Sequence, residues 1–267
     1  MKICSQKVNA ELIKLKNYSS YQMHELVKNQ HVLPSKSIER FCNEKGMVEA
    51  HRIHGNNTFQ ANPRNKMFCV NRAWDQRSEQ GYGKEIEDNY QYLVERILVS
   101  DCRSLSSKEN KIISMFYVLW CLRSTIEQYD EAMSGNLSGV TDDRLTAEQK
   151  RNVELKHAIY IEEGGVVPIH FKRGRAMEMA IDRFIARNSY LNWFIAESKT
   201  LEFVVSDNPK AEFIIPFTPA NCFICSFHVP ILTLEQVTGI NMSAIMRSKS
   251  YYFARKLSKT RDIKLKS

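Results

Sequence analysis

Four side chains in this sequence have the type and setting for acid–base or phosphate chemistry, and each also has a plainer reading. His31 lies in Gln30-His31-Val32-Leu33-Pro34. Pro34 biases Leu33 towards extended backbone and can open a helix, where its missing N–H costs nothing. His31 is thus expected at a strand-like end beside a short helix, on which Ile38 and Phe41 share a buried face. An imidazole there can move a proton near neutral pH. Taken alone, it reads better as a buried ring satisfied by a backbone carbonyl. Glu87 stands one turn before Tyr90 and Gln91, so an acid begins the buried stripe of its helix. Arg123 interrupts an apolar face made by Ile112, Phe116, Leu119, Trp120 and Ile126. A charge there must be paired or face a cavity, and pairing is favoured over a snorkelling head. Asp207 ends a β-rich run at Asn208-Pro209. That is a usual place for a functional carboxylate, but also for a turn-capping one, and on residue physics the turn is the better reading.

The elements that must position these residues follow from periodicity and punctuation. The opening is weakly patterned, and a helix is expected around 21–28. Two runs, 47–53 and 58–61, flank His54-Gly55-Asn56-Asn57, whose residues tolerate left-handed backbone, and predict a hairpin. A helix is expected over 84–99, inward through Tyr90, Val94, Ile97 and Leu98. A second, over 108–128, is capped by Ser107. Residues 133–146 are rich in Gly, Ser and Asp and read as a mobile connection. Helices are expected over 147–163, ended by Gly164-Gly165, and over 175–188, after Gly174. The pattern then turns to period two, with strands expected over 190–196, 201–205, 212–215 and 222–227. A basic helix and tail close the chain at 242–267. The fold class is α+β: one mainly helical domain over 1–267, with an antiparallel sheet in the C-terminal half and a small N-terminal hairpin.

Composition bounds the rest. A chain of 267 residues with 43% apolar content can bury a sizeable core. The first residues are polar and lysine-bearing, unlike a signal peptide, and the longest apolar run is too short to span a bilayer. Seven scattered cysteines suggest reduced thiols and a cytoplasmic location. Cys222 and Cys225 lie three apart on an expected strand and so point to opposite faces, which argues against a zinc knuckle. The formal net charge is +8. Residues 247–267 hold eight bases and one acid, so seven of those charges sit at the C-terminal end. Arg247, Lys249, Arg255, Lys256, Lys259 and Arg261 are the candidate nucleic-acid-binding residues; interleaved with Tyr251 and Tyr252, they could meet phosphates while the rings stack on bases. The plain alternative is a solvated face whose aromatics pin it to the core.

Several short motifs occur in a telling order: Gln30-His31-x-x-Pro34 with Phe41, Trp74…Glu79…Ile86-Glu87, Leu122-Arg123, Trp193…Phe203-x-x-Ser206-Asp207-Asn208-Pro209, and Pro216-x-Thr218-Pro219. In this the chain resembles a bacterial domain-of-unknown-function family with a Gln-His-x-x-Pro opening and a late Ser-Asp-x-Pro turn. Its members are often found in phages, mobile elements and defence loci. The resemblance spans roughly residues 28–255. It departs at Val32-Leu33, where the family has an aromatic-Val pair, and after Arg123, where Ser-Thr stands in place of Thr-Pro.

The resemblance implies that His31, Glu87, Arg123 and Asp207 come together as a catalytic set, with Glu79 a weaker fifth. An imidazole, two carboxylates and an arginine fork suit acid–base work on a phosphate. The carboxylates could also hold a divalent ion such as Mg²⁺, and the sequence leaves the metal open. The first expectation is a nuclease-like toxin or effector, a phosphodiester hydrolase acting on nucleic acid with RNA favoured, in antiviral defence. Such an effector would call for an inhibitory protein partner and no membrane. The alternative is a non-enzymatic regulatory or interaction protein, in which the polar set is a buried network and the basic end binds nucleic acid. A hydrolase of a small phosphorylated molecule would use the same residues without the tail.

Overall fold

The computed structural model describes residues 25–100, 103–126, 137, 144–210, 213–225 and 229–261. The expected connection at 133–146 therefore lies outside the described residues except at Leu137 and 144–146, as does the tail beyond Arg261. Of the helix expected around 21–28, residues 25–28 carry none and 21–24 lie outside the described residues.

The fold is α+β. Strand β1 (Asn29–His31) leads through Pro34 into the short helix α1 (Ser35–Glu39). The hairpin β2 (Val48–Arg52) and β3 (Asn57–Ala61) forms as the Gly-Asn signal predicts, with Gly55 and Asn56 at positive φ. Strand β4 (Cys69–Asn71) pairs antiparallel with β1, setting His31 opposite Cys69. A single π turn, Ser78–Tyr82, runs into helix α2 (Gly83–Ser100). Tyr90, Val94 and Ile97 point inward, whereas Leu98 stays exposed at the end of the stripe. Helix α3 (Ser107–Ser124) is capped by Ser106 rather than Ser107, with Glu109 closing a capping box.

Helix α4 (Ala147–Leu155) is shorter than expected. Helix α5 (Ile169–Arg187) is longer: it starts right after Pro168, and Gly174 lies inside it. Glycine reads as a helix break in sequence. Here it is kept because a Cβ at Gly174 would lie 1.7 Å from Asp75 Oδ2.

The C-terminal half supplies β5 (Phe194–Ser198), β6 (Val205–Ser206), β7 (Ile214–Pro216), β8 (Asn221–Ile224) and β9 (Ile231–Leu232). One sheet runs β7-β8-β5-β9, antiparallel except for the β5–β9 pair. Cys222 is buried on β8, and burial pushes its thiol up, which keeps it protonated.

The basic C-terminal helix needs correction. Helix α6 spans Leu234–Arg247 and ends at Ser248; Tyr251–Ala254 is strand β10. β10 pairs antiparallel with β2 on one side and β6 on the other, giving the sheet order β3-β2-β10-β6. Tyr251, Tyr252, Phe253 and Ala254 are all buried. Phe253 packs edge-on against Phe41 and Phe68, and Tyr252 stacks on His51. Long-range pairing and aromatic burial decide this segment, not its local helical pattern. Tyr251 and Tyr252 are thus core residues rather than a base-stacking surface.

Candidate functional site

Arg123 is the centre of the expected set, and α3 delivers it into the core at 2% exposure. Its Nη1 is ion-paired with Glu87 and donates to the His31 backbone carbonyl at 3.2 Å. Its Nη2 lies 3.4 Å from Glu79 Oε2. The guanidinium sits 4.9 Å over the Trp74 ring, and Trp74 Nε1 donates to the same Glu79 oxygen at 2.6 Å. Glu79 and Glu87 are eight residues apart, which on a regular helix would splay them by about 80°. The π turn absorbs one residue and returns both acids to the face that meets Arg123. Gly83 leaves the space: a Cβ there would stand 3.0 Å from Arg123 Nη2 and 2.4 Å from the Ser78 carbonyl.

The protonation equilibria follow from this setting. Burial pushes the half-buried Glu87 above the ordinary carboxylate range, with Arg123 pulling it back. Burial holds His31 below its usual value; its Nε2 donates to the Pro63 carbonyl at 3.1 Å, which opposes the shift. His31 thus meets Arg123 through its backbone, while its ring is satisfied by a carbonyl.

Asp207 is spent differently. Its Oδ1 accepts from Lys249 N at 2.8 Å, and Oδ2 accepts from Ser250 N at 2.7 Å and Tyr251 N at 3.3 Å. It caps the entry to β10 across the sheet. Ser206 Oγ accepts from Asn208 N, and Ser248 Oγ donates to Ser206. Asp207 still borders the same cavity as Arg123, about 250 Å³, with Ser124, Thr125 and Lys249 around it. The structure therefore brings His31, Glu79, Glu87 and Arg123 together, and holds Asp207 at the far wall by backbone bonds. Among the described residues, no three His, Cys, Asp or Glu side chains are placed as a metal-binding group requires.

The basic residues divide as well. Arg247 Nη1 donates to the Lys210 carbonyl at 2.8 Å. Arg255 directs Nε and Nη2 at Glu202 Oε1, at 3.1 and 2.6 Å, and this carboxylate raises its pKa. Lys249, Lys256, Lys259 and Arg261 are exposed. Arg255 and Lys259 stand between two adjoining hollows, with Lys256 bordering one and Arg261 the other.

A second polar cluster has almost no signature in the sequence. Glu154, 1% exposed on α4, is paired with Arg72, accepts from Gln76 N at 3.2 Å, and lies 3.4 Å from His170 Nε2. Burial pushes Glu154 up, but His170, Arg72 and the Gln76 N–H outweigh it and hold the carboxyl below its usual range. Asp75 is buried beside it and accepts from Ser78 N and Ser78 Oγ, both at 2.9 Å. The one cue in sequence is an acid between Val153 and Leu155, inside a helix that otherwise reads as solvated. Its partners come from segments far apart in the chain, which periodicity cannot join. No helix among the described residues is long and apolar enough to cross a membrane. No family model, no curated protein and no solved structure matches this chain.

Proposed function

We propose that this chain is a nucleic-acid-binding interaction or regulatory protein, with the Arg123 centre as an internal brace and the exposed bases beyond α6 as the surface that meets phosphates. The observation behind this reading is that both Nη groups of Arg123 are occupied inside the core, its buried Nε alone lacking a partner. Arg123 is buried, and its two Nη groups are engaged by Glu87, Glu79 and the His31 carbonyl, so no free fork faces a substrate. Lys256, Lys259 and Arg261, by contrast, are exposed around adjoining hollows. The test is affinity for labelled RNA and DNA across a salt series. Contacts to phosphates make affinity fall steeply with salt, by about 0.7–0.9 log units per log salt for each phosphate neutralised. Changing Lys256, Lys259 and Arg261 together to Gln should flatten that slope by roughly two. A triple variant that tracks the parent at every salt concentration sinks the reading.

A nuclease-like effector is the second reading, and a different observation favours it. Glu87 is shifted up and His31 down, both beside Arg123, and groups displaced towards neutrality often mark acid–base sites. Arg123 and Asp207 also border one cavity. In this reading His31 is the general base, Glu87 and Asp207 shuttle protons, and Arg123 holds the phosphate. The defence and mobile-element setting rests on the motif resemblance alone. Incubating the protein with RNA and with DNA, with and without Mg²⁺ or Mn²⁺, decides between the two. Cleavage that His31→Gln abolishes without lowering the melting temperature favours chemistry; no cleavage under any condition removes it.

A further inference from the structure

We propose that this chain pairs with a second copy of itself through the outer face of α6, the two helices lying antiparallel. The inner side of the helix is fixed. Val237 and Asn241 are buried, and Asn241 Oδ1 accepts from Val204 N at 2.9 Å while Nδ2 donates to the Glu202 and Thr260 carbonyls at 2.8 and 2.9 Å. The outer side is therefore fixed too: Glu235, Gly239, Met242 and Met246 are the exposed positions of the helix. A surface helix ordinarily turns charge towards water. α6 carries none from Gln236 to Met246, and Met242 and Met246 stand 56% and 81% exposed. Gly239 points the same way. Glycine inside a helix weakens it relative to alanine. Gly83 and Gly174 are held to glycine by Ser78 and Asp75, whereas a Cβ at Gly239 would meet nothing within 4 Å. Nothing inside the chain calls for this glycine. The gap it leaves lets a facing helix come close, and methionine is the apolar side chain that best moulds into such a gap.

The charges select the occupant. Glu235 lies in the first turn of α6 and Arg247 in the last, with exposed Lys249 two residues beyond. A face that is acidic at one end, basic at the other and apolar between is complementary to itself reversed. An antiparallel copy sets each acid beside the other's basic end and aligns the two helix dipoles favourably. A parallel copy sets like charges together. With Met242 on the two-fold axis, Glu235 of one chain meets Lys249 of the second copy, and Met246 meets the stretch at Thr238 and Gly239. This is the reciprocal pattern that an isologous contact requires. A pair of helices about 21 Å long buries less than a standard interface, so the association is weak and reversible.

Sedimentation equilibrium of the full chain from about 5 to 500 μM tests this, a range suited to a small contact. The parent should move from one chain towards two across it. Met242→Glu sets two carboxylates against each other at the axis and should weaken pairing roughly tenfold or more, with the melting temperature unchanged. Gly239→Leu should move two readouts in opposite directions. It replaces a poor helix former and so raises the melting temperature, yet it fills the gap and weakens pairing. Glu235→Lys should weaken pairing severalfold, and adding Lys249→Glu should restore it, which a parallel arrangement does not allow. A parent that stays a single chain throughout overturns the proposal, as does pairing that Met242→Glu and Gly239→Leu leave intact. Failure of the charge swap to restore pairing overturns the antiparallel arrangement. Vesicles of phosphatidylcholine with phosphatidylglycerol are sedimented alongside; a single-chain protein that binds them through Met242 gives this face to a membrane and overturns self-pairing.

Discussion

At Gly174 a missing Cβ decides where a carboxylate stands. In an exposed helix interior, replacing Gly by Ala stabilises by about 1 kcal/mol. Here the new methyl would overlap Asp75 Oδ2 and press on Ser78 Oγ, at 1.7 and 2.4 Å. Overpacking of this kind costs about 1–3 kcal/mol, so Gly174→Ala should lower stability in urea unfolding. A variant as stable as the parent would show that the α5–Asp75 contact is looser than this geometry. His31 gives a pH test at the same scale. Burial holds the folded ring below the ordinary 6.5. The unfolded chain therefore takes up the proton first, and this ring's contribution to stability is lost as pH falls from 6.5 through the folded value. His31→Gln can keep a donor to the Pro63 carbonyl but cannot titrate. The stability difference between parent and variant should shift against the parent between pH 7 and roughly pH 5. A difference that stays constant over that range would mean the ring titrates normally in the fold.

Among the elements, α2 and α3 form the brace around Arg123. Breaking a buried ion pair from one side leaves the other charge uncompensated, at a cost of about 3–5 kcal/mol. Arg123→Met keeps much of the volume but leaves Glu87 and Glu79 facing an apolar side chain. It should lose stability on that scale, and adding Glu87→Gln should restore part of it. Failure of the second change to restore anything in chemical denaturation would place the main cost elsewhere, such as the packing on Trp74. The pairing of Arg123 is legible in sequence because a cation interrupts a strong apolar stripe, and one turn back from Tyr90 places Glu87 at the start of another. The hairpin is legible because Gly55 and Asn56 supply the left-handed backbone its loop uses. Where a distant segment decides, local pattern misleads. Gly174 reads as a helix start because nothing near it in sequence announces Asp75 against it. Residues 251–254 continue a helical rhythm, yet their partners are β2, about two hundred residues earlier, and β6. The Glu154 cluster is silent for the same reason: Arg72, Gln76 and His170 share no period with it.

Over the whole molecule, β10 ties the two ends of the described chain together. It lies between the N-terminal hairpin strand β2 and the C-terminal strand β6, and Asp207 caps its entry. Phe253 is 1% exposed and meets Phe41 and Phe68 with ring centroids 5.7 and 5.4 Å away. Those rings come from the segments that carry α1 and β4, so one side chain joins three parts of the core. Removing a buried Phe side chain costs about 3–5 kcal/mol, against a total of about 5–15 kcal/mol for an ordinary domain. Phe253→Ala should therefore remove a large share of the protein's stability, read as a lowered midpoint in urea unfolding. Ending the chain at Ser250 should go further, because β2 and β6 would each lose a hydrogen-bonded neighbour and the aromatic cluster its centre. The shortened chain should show no cooperative thermal transition by near-ultraviolet circular dichroism. It should also lose nucleic-acid binding at every salt concentration, unlike the Lys256, Lys259 and Arg261 triple variant, which should stay folded and bind more weakly with a salt slope flatter by roughly two. If the chain ending at Ser250 melts cooperatively near the parent temperature, β10 is an appendage and its pairing with β2 and β6 does not hold the fold together.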